Sequence, residues 1–212
     1  MPYLQPATAN YFGFLPAQRA DAQPQTNIYL VSSSEPDQIS IGDVVVYATH
    51  SSASSVRRVT GSTTTDAGLP VGVSASFVLA NAGSTGAGLR SLTSQNVLVY
   101  DSPNQIFCGC DTTSGVFGGG RFLGQSFGVV STGATGSTGP NSTLNRSVQA
   151  LSIVTASSQG IFRVIGLHPI ETALSTVAAG TAGAVGEVRK LLLRPDRHAN
   201  AGYGVGIGHV TT

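Results

Sequence analysis

Charge is what this chain has least of. Only 10% of its 212 residues are Asp, Glu, Lys or Arg, against about a quarter in ordinary globular proteins. The formal net charge is +1. Basic residues gather only at Arg57-Arg58 and in the stretch 189–197, where Arg189, Lys190, Arg194 and Arg197 surround Asp196. A free nucleic-acid binder shows a broader basic face, so no direct nucleic-acid contact is expected. No apolar run reaches the roughly 18 residues of a membrane span, so no membrane partner is expected. The opening Met1-Pro2-Tyr3-Leu4-Gln5-Pro6 lacks the basic-then-apolar order of a secretory signal, and synthesis in the cytoplasm is expected.

Cysteine is almost as scarce. The two present, Cys108 and Cys110, are one residue apart. A disulfide across a single residue is badly strained. On a strand both side chains would face one side. They could be half of a metal site, but that needs further soft or imidazole ligands. His50, His168, His198 and His209 are scattered, without the spacing of a zinc motif. The expectation is two small apolar side chains in a reduced core, with no metal and no cofactor.

What the chain does have is glycine, 27 of them, together with many small residues and recurrent β-branched runs. Low charge on a surface rich in small residues suits an exterior buried against partners. The runs read as strands at 27–31, 39–48, 56–60, 71–79, 89–93, 97–100, 106–110, 148–154, 160–167 and 186–195. Val56–Thr60 is expected to leave an exposed edge. Gly42-Asp43 reads as a tight turn feeding a strand, since Gly accepts positive φ and Asp bonds its local backbone. Gly72 reads as a bulge or a close backbone approach. Gly202–Gly208 alternates glycine with larger residues, leaving one strand face bare. About ten short strands with Gly/Pro turns, and no long helix, predict an all-β fold, barrel- or sandwich-like, of short antiparallel strands.

The first residues differ. Pro2, Pro6, Pro16 and Pro24 oppose helix and central strand. Residues 1–26 read as an extended N-terminal arm, and 27–212 as a β-rich body, with a division into two small lobes near 81–96 as an option. The aromatic anchor in the arm reads equally as a strap packed on its own domain or as a grip on a neighbouring subunit; for the second, Tyr11, Phe12, Phe14 and Leu15 are the candidate partner-binding residues. Deleting residues 1–15 is expected to weaken partner binding and leave a soluble fold.

The search for catalysis returns little. The ten carboxylates show no paired pattern. Gly124-Gln125-Ser126-Phe127-Gly128 matches Gly-x-Ser-x-Gly, and Asp196 and His198 follow in Ser–Asp–His order. A nucleophile elbow needs a strand-turn-helix setting, and here a Ser/Thr/Gly-rich stretch follows. Gly118-Gly119-Gly120-Arg121 is neither a Walker A nor a dinucleotide turn. No enzyme is expected, and no catalytic residue is assigned.

The order of these signals resembles tailed-bacteriophage virion structural proteins of the capsid decoration (cement) type. The carriers are Gly13-Phe14-Leu15-Pro16, then Gly42-Asp43-Val44-Val45, then Pro70-Val71-Gly72-Val73. The element Val99-Tyr100-Asp101-Ser102-Pro103-Asn104-Gln105-Ile106-Phe107 is next. Gly124-Gln125-Ser126, Val164-Ile165-Gly166-Leu167 and a last strand running from Val188 toward His198 complete the series. The chain departs from the pattern at Cys108-Gly109-Cys110, where such proteins often carry acidic residues. The resemblance implies a non-enzymatic protein of the virion, made in the host cytoplasm. It would bind the outer capsid surface in repeated copies or as a homo-oligomer, and cement neighbouring major capsid protein subunits. A contact of about 1,600 Å² is enough for specific docking. The competing reading is an adhesin-like module of a tail or fibre. That reading calls for aromatic-rich loops, and the chain has no Trp and six Tyr.

Overall fold

The computed structural model describes residues 13–17, 24–33, 35, 37–48, 55–59, 69–78, 95–110, 123–131, 147, 149–152, 160–167 and 190–199. Among the described residues there are strands and turns but no helix. In chain order the strands are β1 (Leu15–Pro16), β2 (Asn27–Val31), β3 (Val44–Tyr47), β4 (Val56–Arg58), β5 (Pro70–Ser74), β6 (Gln95–Tyr100), β7 (Phe107–Cys110), β8 (Ser126–Ser131), β9 (Gln149–Ser152), β10 (Phe162–Leu167) and β11 (Lys190–Pro195). They form two antiparallel sheets: a five-stranded one ordered β2-β6-β5-β3-β4 and a six-stranded one ordered β1-β7-β11-β10-β8-β9. The architecture is the expected all-β one. The segments expected at 89–93 and 202–208 lie outside the described residues; β6 pairs with β2 and β5.

The five-stranded sheet curls into a half-barrel. Leu30 of β2 meets Ser55, just before β4, in a single parallel bridge. β4 is the terminal strand of this sheet, as expected, but the curl covers its side chains. Val56 is fully buried inside the curl and Arg58 is only 2% exposed. The six-stranded sheet bends as well: the Gly13 N–H, ahead of β1, donates to the Gln149 carbonyl of β9 at 2.7 Å, joining opposite ends of the sheet.

Alternation along each strand divides the apolar residues between two cores. Val44, Val46 and Val73 of the five-stranded sheet meet Phe107, Phe127, Phe162, Leu151, Leu191 and Leu193 of the other, with Phe14 among them. Inside the curl lie Val31, Val45, Val56, Val71, Val97 and Val99, covered by Ile39 and Val78. Val44-Val45-Val46 is therefore buried on both faces. Each such side chain contributes roughly 1.5–3 kcal/mol relative to an exposed one.

Gly72 is where this two-sided packing is arranged. The β3–β5 register shifts so that Val45 faces Gly72 and Val46 faces Pro70. The surplus residue, Val71, turns into the curl, whereas Val73 turns toward the other sheet. An odd extra residue flips the alternation, which is the effect of a bulge. A Cβ on Gly72 would sit 2.1 Å from the Tyr100 carbonyl oxygen. The sequence reading of a close backbone approach holds there.

Candidate functional site

Gly42-Asp43 forms the turn read from the sequence. Gly42 has φ 90°, the left-handed region that favours glycine. The Asp43 carboxylate accepts from the Ser40 backbone N–H at 2.7 Å. Its wider surroundings were not legible in the sequence. Asp43 is fully buried. Its Oδ1 accepts from the Ser147 hydroxyl at 2.5 Å, and its Oδ2 lies 3.5 Å from Arg58 Nε. Gln149, also fully buried, accepts from the Val44 N–H at 2.6 Å and donates to the Val59 carbonyl at 2.7 Å. It thus ties the six-stranded sheet to β3 and to the end of β4. Buried polar groups persist where they are bonded, and this knot is densely bonded.

The first residues of the chain are fastened at the same place. Phe14 N–H donates to the Gly42 carbonyl at 2.9 Å, beside the Gly13–Gln149 bond, and Ala17 N–H donates to the Ile106 carbonyl at 2.8 Å. Of the four candidate partner-binding residues, Tyr11 and Phe12 lie outside the described residues. Phe14 is fully buried in its own chain, its ring 4.8 Å from that of Phe162. Leu15, pairing with Cys108 on β7, remains 47% exposed. At Phe14 the segment packs as a strap on its own domain, one of the two readings of the arm. Deletion of residues 1–15 would remove that ring from the core.

Cys108 is half-buried and forms no disulfide. On β7 its neighbours Phe107 and Gly109 face the core, Gly109 lying against the Phe14 ring. Alternation therefore turns Cys108 away from the core, contrary to the expectation of a core thiol. Among the described residues no group of three or more His, Cys, Asp or Glu side chains could hold a metal ion.

Ser126, Asp196 and His198 are only partly brought together. The Ser126 hydroxyl donates directly to Asp196 Oδ2. Asp196 Oδ1 also holds Arg163, at 2.8 Å from Nε and 2.7 Å from Nη2. His198 faces elsewhere: it bonds the Val71 backbone and feels the field of Asp101. Ser126 lies on strand β8, without the strand-turn-helix setting of an elbow. Ser126 and Asp196 therefore join the end of β11 to β8 without an imidazole between them.

Burial lowers the pKa of His198 from 6.5, against the opposing pulls of Asp101 and of the Val71 bond. The unfolded chain then takes up the proton first. The stability supplied by the neutral ring is complete above pH 6.5 and is lost as pH falls below it. As pH falls from 7.5 to 5.5, the urea midpoint of the wild type should fall relative to that of His198→Gln. An equal slope in the variant would show that His198 does not cause it.

In the Asp101–Gln105 element, the Gln105 N–H donates to the Ser102 carbonyl at 3.1 Å, closing the turn. Asp101 accepts from Asn27 Nδ2 at 3.0 and 2.9 Å and from the Tyr29 hydroxyl at 2.7 Å. The motif residue thereby fastens β2 to the end of β6. The outward faces carry large aliphatic residues. Ile28 is 68% exposed and Leu98, directly opposite it on β6, is 39% exposed. Ile41, Leu69, Leu123 and Ile165 are exposed as well.

No protein-family model matches the chain. No curated protein matches it, and no solved structure does.

Proposed function

We propose that this chain is a virion structural protein of a tailed bacteriophage, one that binds the outer capsid surface and cements neighbouring major capsid protein subunits. The observation that carries the reading is the exposed aliphatic side chains, Leu15 and the Ile28–Leu98 pair above all, on a chain in which only 10% of residues are charged. Exposed apolar surface with little charge around it is what protein–protein contacts cover. The motif order of the sequence supports the same reading. The chemistry required is adhesion over many copies, with no bond made or broken.

The test is electron microscopy of virions carrying the labelled chain. Label over the head surface is the expected result. Label confined to the tail would overturn the capsid reading and favour the adhesin-like one. A finer test replaces Leu15 with serine in the full chain. Burying a whole leucine contributes roughly 1.5–3 kcal/mol, and Leu15 has 47% of its surface left to bury, so head binding should weaken about threefold to tenfold. The unfolding midpoint should move only a little, because this side chain is already half in solvent. Unchanged head binding would remove Leu15 from the interface.

A further inference from the structure

We propose that the outward face of the six-stranded sheet docks a protein segment bearing an aliphatic side chain beside a carboxylate, the first on an apolar row that ends at Gly166 and the second on Arg194. This deepens the capsid reading and rests on it: the segment belongs to the major capsid protein.

Register sets the row. Leu15 of β1 pairs with Cys108 of β7, Cys108 with Leu192 of β11, and Leu192 with Gly166 of β10. Their strand neighbours Phe14, Phe107, Leu191 and Leu193 are core residues, so alternation turns Leu15, Cys108 and Leu192 outward. Leu15 is exposed, and Cys108 and Leu192 are half-buried. Ile165, the surplus residue of the β10 bulge, is exposed at the end of the row. A Cβ added to Gly166 would meet, among the described residues, only Leu192 Cδ1, at 3.8 Å. The row therefore ends in a shallow notch beside Leu192 that can take one aliphatic side chain.

Charge fixes the rest of the occupant. Arg194 lies two residues beyond Leu192 on the same face, directly opposite Arg163. Like charges so placed repel. Asp196 relieves only Arg163: its Oδ1 holds that guanidinium at 2.7 and 2.8 Å, and its Oδ2 takes the Ser126 hydroxyl. Arg194 is exposed and has no carboxylate partner among the described residues. A carboxylate arriving beside the apolar row would neutralise it through charge-assisted hydrogen bonds. Nucleic acid fits less well, since an aliphatic row offers nothing to a phosphate backbone.

Heads assembled without this chain are the probe, sedimented with the full chain. The wild type should bind, and more weakly as salt rises from about 0.05 to 0.5 M. Arg194→Ala should weaken binding about tenfold, and Arg194→Glu further. Ile165→Ser should weaken it about threefold to tenfold. Arg57→Ala, an equal loss of charge on the other sheet, should change it less than about twofold. Arg194 and Ile165 are exposed, so unfolding midpoints should hardly move. Unchanged binding by Arg194→Glu, or an equal loss in Arg57→Ala, overturns the docking face and leaves the capsid reading standing. Binding that does not weaken with salt overturns the carboxylate. A wild-type chain that binds no heads overturns both the docking face and the capsid reading. Binding to a DNA duplex that is lost in Arg194→Glu overturns the protein occupant in favour of a phosphate backbone.

Discussion

Phe14→Ala should lower the folding free energy by about 3–5 kcal/mol, the usual range for removing a buried phenylalanine. The ring is fully buried and stacks 4.8 Å from Phe162, which in turn stands 5.8 Å from Phe107. Its other side lies on Gly109, which has no side chain to fill the space left behind. The cavity would open where both sheets contribute to one core, so collapse around it would have to move two layers at once. Against a total of about 5–15 kcal/mol, the variant should be unfolded or close to it at 37 °C. Denaturant unfolding provides the measurement, with Leu15→Ala as the neighbouring control of small effect. A loss below about 1 kcal/mol would show that the Phe14 ring does not pack as described. Deleting residues 1–15, and Phe14 with them, should reproduce the loss.

Gly72→Ala should be nearly as damaging, for a different reason. The added Cβ would lie 2.1 Å from the Tyr100 carbonyl oxygen and 2.9 Å from its carbon. Neither atom belongs to a flexible side chain, so β5 and β6 must move apart. That breaks the Val73–Tyr100 and Ser74–Val99 pairing, and it disturbs the bulge that sends Val71 and Val73 into different cores. Overpacking of this kind costs about 3 kcal/mol. Urea unfolding should show the shift, and loss of soluble protein would agree with it. A variant with the wild-type midpoint would mean that the two strands do not approach as closely as described.

The two substitutions differ in how visible they were beforehand. The Pro70-Val71-Gly72-Val73 run marks Gly72 as a place of unusual backbone, because an isolated glycine in a strand has few other uses. Gly42-Asp43 announces its turn for the same local reason. Phe14 reads as an aromatic anchor for its own domain or for a neighbour, since the prolines around it argue against regular structure and nothing local reveals which surface will receive it. Arg58 reads as an edge residue because the neighbouring Arg57 and Thr60 are polar. Only the curl of the half-barrel buries it beside Asp43. Gln149 gives a weak signal, a polar residue within Val148-Gln149-Ala150-Leu151, but not the identity of its partners.

By itself the sequence determined the all-β class, most strand positions, the turn at Gly42-Asp43 and the scarcity of charge. These follow from propensities and periods that act over a few residues. Only the tertiary structure decided which face of each strand is covered, that Phe14 belongs to the protein's own core, and that Asp43, Arg58, Ser147 and Gln149 meet. Those outcomes depend on pairings between residues roughly a hundred positions apart, such as Asp43 with Ser147 and Val44 with Gln149. Loop closure over such distances leaves no local trace in the chain.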